Sequence, residues 1–432
     1  MAQEVWAPSP AERFDLDAND ESLAVLVDLQ RRLGDVHRVP ARSRAHDGLV
    51  VHDADAIRRV LQTHRGNYVK GVGLERVRVL LGNGLIVNEG ESWARQRRLM
   101  QPAFHSQVIR GFAGLMHRVN VELIARWERF ARSGEAVDVT RELSQAALDV
   151  VLRALFSRDL DLLVASEGSN PFHLLAENSR RDLAFAARFR GLARFVRGFI
   201  DARRLQGRVE NDLLSMLMQA RDKDDGEPMP ERLLLDEAMT LIVAGHETTA
   251  STLNWAWYLI SQHPEVEARL AETARAQPDD ETLAQTPLEI PPYIEHVLNE
   301  ALRLYPPVWL FSRRAVGADR LGGFDVAAGT DIFLCPYLLH RHPAHWEAPE
   351  RFVPERFEPA PTAARHRFAF LPFSAGPRFC IGSGFAMAEM ALHLTMLARR
   401  FRLVYAAGEP PVPEFQINLR TREGVPMRLE AR

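Results

Sequence analysis

Cys380 stands in the segment Phe373-Ser-Ala-Gly376-Pro-Arg378-Phe-Cys380-Ile-Gly382. It sits between glycines, two residues after an arginine, and ahead of an apolar stretch that suits a helix over 381–401. Peptide N–H groups in such a loop can point at the sulfur, and a helix N-terminus favours the thiolate. A thiolate held this way is a soft metal ligand or a nucleophile. A lone cysteine is by default a buried, inert thiol, but the glycines, Arg378 and the following helix argue for chemistry here. Cys335, in the apolar run 332–339, reads as core.

A second group lies in Ala244-Gly245-His246-Glu247-Thr248-Thr249, midway along a stretch, 230–262, that is apolar almost all round and reads as one long buried helix. Glycine inside a helix costs about 1 kcal/mol relative to alanine, and a buried glutamate costs more unless it is paired. Thr248 could bond its own backbone four residues back while Glu247 reaches a solvated edge. Further on, Glu300 and Arg303 stand three apart on one helical face, where an ion pair forms naturally. Pro354-Glu355-Arg356-Phe357 then brings another arginine.

Taken together and in this order, these segments resemble the cytochrome P450 superfamily. The cysteine segment is similar to that family's F-x-x-G-x-R-x-C-x-G haem loop and continues with Ala386 and Glu389 at matching positions. Glu300-Ala-Leu-Arg303 resembles its E-x-x-R pair. Residues 354–357 resemble its P-E-R-F/W box, whose arginine joins that pair. Residues 244–249 resemble its A/G-G-x-D/E-T-T/S oxygen-activating segment, and the match spans 93–389.

The resemblance implies a mainly α fold with a small β region, the cytochrome P450 fold, and haem b (iron protoporphyrin IX) as cofactor. Cys380 is then the iron ligand, with Phe373, Arg378 and Gly382 around it. Gly245 would let a ligand approach with Ala244 beside it against the cofactor, Thr248 would steady dioxygen, and Glu247 would feed protons. Trp93 and Arg97, Arg314, and Arg378 are the cations and ring expected at the haem propionates. Glu300, Arg303 and Arg356 are expected to act in folding and haem loading. The implied reaction is hydroxylation or epoxidation of an apolar small molecule (terpenoid, fatty acid, steroid or macrolide-like). It would use dioxygen and electrons from NAD(P)H, delivered by a separate ferredoxin or flavodoxin with its reductase. Within this fold the competing readings are oxidative coupling and peroxide-driven turnover, and the intact Glu247-Thr248 pair counts against the latter. A haem sensor or carrier is a different class, and it would have no need of Thr248 in a buried helix.

Elements that could position these groups follow from periodicity. A strand-like hairpin over 36–40 and 49–52 precedes a short helix at 54–64. A glycine-rich connection at 66–90 reads as a long loop, and an Arg-rich helix opens at 93. Helical spacing recurs over 108–131 and 144–156. Residues 172–204 carry a Phe stripe (Phe172, Phe185, Phe189, Phe195, Phe199) among arginines, either packing on the core or forming a lid. Arg180 and Arg181 could hold a carboxylate, with surface solvation as the plainer reading. Pro264 starts another helix, and one over 294–304 stops at Pro306-Pro307. Short strands with a Gly322-Gly323 turn follow over 308–333.

The 432 residues carry 54 Lys+Arg against 57 Asp+Glu, a net −3 that favours neither nucleic acid nor an anionic membrane. Lys70 and Lys223 are the lysines, so the cations are nearly all guanidinium. No linker or repeat divides the chain, so 1–432 reads as one domain. With no apolar run of about 18 residues and two cysteines, the expectation is a monomeric cytoplasmic protein.

Overall fold

The computed structural model describes residues 4–177, 183–285 and 289–432. Two compact units, interleaved in sequence, make up the chain. The first comprises Met1–Glu75, Asn299–Cys380 and Val412–Arg422, the second Arg76–Leu298, Ile381–Pro411 and Glu423–Arg432.

The first unit is built on a five-stranded sheet in the order Val36–Val39, Gly48–Val51, Asp331–Leu334, Phe311–Ala315, Tyr68–Lys70. Gly48–Val51 and Asp331–Leu334 run parallel, and the other neighbours run antiparallel. Close approach at Gly48 is obligatory, since a Cβ there would come within 2.6 Å of the Phe333 ring. The Gly322-Gly323 turn appears as expected, both residues at positive φ, joining Asp319–Leu321 to Phe324–Val326. Ile57, Tyr68, Ile332 and Leu334 belong to the buried apolar cluster beneath this sheet.

The second unit is helical. Its axis is the 32-residue helix Glu231–Gln262, which starts one residue after the Pro230 expected to open it. The helix Val139–Phe156 packs along it, with Leu148, Leu152 and Leu155 fully buried. Ala113–Ser133 lies against both Val139–Phe156 and Ser383–Ala398. The last of these starts at Ser383 rather than 381 and gives way to a strand, Phe401–Tyr405, in a small sheet with Val137–Asp138 and Pro426–Ala431.

One expectation changes, and one choice between two readings is decided. The 66–90 connection is not a bare loop, because it holds the edge strand Tyr68–Lys70 and a helix, Glu75–Leu81. Its glycines serve contacts: Cβ atoms at Gly82 and Gly84 would meet Asp236 and Thr240 at 2.3 and 2.0 Å. The Phe stripe packs inward, with Phe172 and Phe189 buried and Phe156 meeting the rings of Phe172 and Phe199 at 6.0 and 5.0 Å. Arg180 and Arg181 lie outside the described residues.

Candidate functional site

In the first unit the cysteine loop is closed on itself. The Cys380 N–H donates to the Phe373 carbonyl at 2.9 Å and the Phe379 N–H to that of Gly376 at 3.0 Å. Gly376 has φ +69°, and a Cβ there would sit 2.0 Å from the Leu61 carbonyl oxygen. The loop therefore rests backbone to backbone on residue 61, which no other amino acid allows. Arg378 donates to the Tyr68 carbonyl at 3.0 Å. Phe373 is half-buried and meets the Phe379 ring edge-on at 6.2 Å. At the end of this loop the Cys380 thiol is exposed. Cys335 is the opposite case, buried, its thiol pushed up to about 12 by loss of solvation.

The same unit contains the carboxylate–arginine network. Glu300 and Arg303 are fully buried on the helix Pro292–Leu304 and form a two-pronged pair, 2.6 and 2.8 Å. The Arg356 Nε reaches the Glu300 carboxylate at 3.3 Å. The remaining Arg303 donors go to the carbonyls of His340, Pro349 and Arg351, and the Val353 N–H caps Glu300. The network thus ties a helix to an irregular stretch that has little regular structure of its own.

Arg314 is placed differently from the expectation. It lies directly across from Asp331 in the antiparallel register and binds that carboxylate through two bonds, 2.9 and 2.8 Å. Its guanidinium is therefore engaged within the sheet. Because side chains alternate along a strand, the neighbouring Arg313 faces the other way, and it is buried. Its cross-strand partner is Lys70. Like charges directly opposite one another destabilise a sheet, so an Arg313–Lys70 pair suits an anionic group. Strand alternation was the available signal, but the sequence does not show which arginine meets Asp331.

In the second unit, Ala244, Glu247 and Thr248 stand at i, i+3 and i+4 on the long helix. All three are half-exposed, while His246, Thr249 and Ala250 on the other side are buried. A deep helix thus opens one polar strip midway along its length. The Thr248 hydroxyl donates to the Ala244 carbonyl at 2.7 Å, and Thr252 does the same to Thr248 at 2.9 Å. The bond four residues back is therefore present, on the accessible face. At Gly245 a Cβ would meet Val151 at 3.0 Å on the neighbouring helix.

Also in this unit, Trp93 and Arg97 are half-buried and share one face of the helix Gly90–Met100. The adjacent Arg98 turns instead to Asp222 and Asp224. Gly382 is the N-cap of Ser383–Ala398, and a Cβ on it would meet nothing within 4 Å. On that helix Glu389 is buried, and loss of solvation pushes its carboxyl well above the usual range.

Among the described residues no group of three or more His, Cys, Asp or Glu is arranged to hold a metal ion. Within the first unit, an exposed thiol on a closed loop and the buried Arg313 opposite Lys70 are groups that suit a haem iron and its carboxylates.

Comparison with known proteins agrees. The family model described as cytochrome P450 matches residues 12–185 and 180–424. Among curated relatives, the chain is 34% identical over 389 residues to cyclooctatin synthase of Streptomyces melanosporofaciens, covering 84% of this chain and 82% of the relative. It is 33% identical over 364 residues to pentalenene oxygenase of Streptomyces avermitilis, covering 81% and 80%. It is also 31% identical over 396 residues to the chloroplastic protein LUTEIN DEFICIENT 5 of Arabidopsis thaliana, covering 84% and 67%. The crystal structure of the cytochrome P450DA heme domain superposes with a TM-score of 0.82 at 25% identity, covering 100% of this chain and 99% of that one. The chain belongs to the cytochrome P450 family and has its fold. It is an oxidoreductase of the monooxygenase kind, and the family implies haem.

Proposed function

We propose that this protein inserts one atom of dioxygen into an apolar, terpenoid-like small molecule by hydroxylation or epoxidation. Haem b would be ligated by the Cys380 thiolate. The observation that carries this reading is the closed 373–380 loop, which presents an exposed thiol on a backbone that only Gly376 can adopt. The terpenoid class is supported by relatives named cyclooctatin synthase and pentalenene oxygenase.

The haem, when bound, supplies the activation of dioxygen. Cys380 would hold the iron and donate electron density to it. Arg313 and Lys70, with Arg378, Trp93 and Arg97, are assigned to the haem carboxylates, and Arg314 to its strand partner Asp331. Thr248 orients a small ligand on the open strip of the long helix, with its hydroxyl proton already directed at Ala244. Glu247, one residue away, relays protons from solvent. Electrons arrive from NAD(P)H through a separate ferredoxin or flavodoxin and its reductase. No helix among the described residues is long and apolar enough to cross a membrane. We place the protein in the reducing cytoplasm, on its lack of a disulfide.

The test is the carbon monoxide difference spectrum of the reduced protein beside Cys380→Ser. A thiolate-type, red-shifted Soret band that disappears in the variant supports the reading, and a histidine-type band in both overturns it. Terpenoid hydrocarbons should then shift the ferric spin state. Shifts confined to small polar compounds would overturn the substrate class.

A further inference from the structure

We infer that Ser144 and His246 are positioning residues for the Glu247–Thr248 pair, an inference that rests on the role proposed above for that pair. His246 is buried, and its Nε2 lies 2.9 Å from the Ser144 hydroxyl on the helix Val139–Phe156. Two further contacts join the same helices. Gly245 presses on Val151, where an added Cβ would come to 3.0 Å, and the Thr140 hydroxyl donates to Asn254 Oδ1 at 3.0 Å.

All three contacts meet the same neighbouring helix, from Gly245 and His246 to Asn254 about two turns on, so together they oppose rolling about the long helix's axis. Successive helical side chains are about 100° apart, so His246 points about 200° from Thr248. The tie is thus anchored behind the strip that carries the acid and the alcohol. A hydroxyl some 4–5 Å from the axis moves about 1 Å for a roll of about 15°. A misplacement of about 1 Å can cost up to about a hundredfold in a positioned reaction. The same contacts viewed as packing alone would contribute stability and leave the fate of the electrons unchanged.

The experiment uses the haem-loaded protein with a surrogate ferredoxin and reductase, comparing Ser144→Ala with Ser144→Thr. Ser144→Ala is expected to keep the thiolate-type carbon monoxide band. Its product per NADPH should fall about tenfold, with peroxide making up the difference, and amides 244–249 should exchange hydrogen faster. Ser144→Thr, which retains the hydroxyl, is expected within about twofold of the unaltered protein. Coupling in Ser144→Ala within twofold of the unaltered protein overturns the inference. So does a loss that Ser144→Thr does not restore.

If Ser144→Ala fails to fold, Gly245→Ala is expected to lower coupling by pushing against Val151. Gly245→Ala with Val151→Ala is expected to recover it, and failure to recover overturns the inference as well. A missing thiolate band in the unaltered protein would overturn the underlying reading itself, and it is seen before any variant is compared.

Discussion

Lowering the pH from about 7.5 to about 5 should destabilise this protein through its buried histidines, and His393 makes the effect measurable one residue at a time. His393 is buried between helices. It accepts a bond from the Trp257 indole N–H at 2.9 Å and contacts the Asn120 amide oxygen through Nδ1 at 2.9 Å. Burial pushes its pKa down from 6.5 to about 3. The unfolded chain therefore binds a proton below pH 6.5 that the folded chain refuses. Stability is at its full value above that pH and is lost as the pH falls toward 3. At pH about 5 the unfolded state gains about 1.5 pH units of protonation free energy, or about 2 kcal/mol. His52 and His340, also pushed down to about 3 by burial, lose similar amounts. Glu389 works in the opposite sense, since burial raises its pKa and acid relieves the cost of keeping it neutral. The assay is urea unfolding of the unaltered protein and of His393→Gln at both pH values. Glu389, His52 and His340 contribute equally to both proteins and cancel in the difference of differences. The loss between the two pH values should be smaller in His393→Gln by about 2 kcal/mol. Equal losses in the two proteins would refute the reasoning.

Other perturbations separate structure from chemistry. Glu300→Gln leaves the fully buried Arg303 guanidinium without its carboxylate and should cost about 3–5 kcal/mol, measured as urea unfolding and as haem retained per folded chain. Gly376→Ala would drive a Cβ against the Leu61 carbonyl and should cost at least about 1–3 kcal/mol, read as a lower thermal midpoint with early haem release. Arg313→Ala should speed haem transfer to apomyoglobin about tenfold or more, whereas Arg314→Ala, which leaves Arg313 in place, should change it less than twofold. Thr248→Val removes one hydroxyl bond, worth about 1 kcal/mol, so its folding should barely change while peroxide replaces product.

Much of this was legible in the sequence because the groups concerned are local. The cysteine loop, the acid–alcohol strip and the Glu300–Arg303 pair each lie within ten residues. The long helix was legible because its apolar residues run all the way round. What escaped depends on residues far apart in the chain. Arg314 and Arg313 are adjacent and chemically identical, and Asp331, 17 positions later, decides which one faces the sheet's own carboxylate. The fit of Gly245 against Val151 likewise depends on another helix, far earlier in the chain. The 66–90 segment reads as loop from its glycines, but two of them are needed where the chain passes Asp236 and Thr240.

The contrast between the two cysteines has a practical consequence for handling the protein. Cys335 is buried and its thiol is pushed up to about 12, so it takes no part in thiol chemistry at ordinary pH. Cys380 is exposed at the end of its loop. Protein stripped of haem thus presents a single reactive thiol. Two such chains can join through one disulfide and no further, giving covalent dimers without larger ladders. A maleimide dye would report the same state as one label per chain, so labelling stoichiometry gives a direct count of chains that have lost their haem.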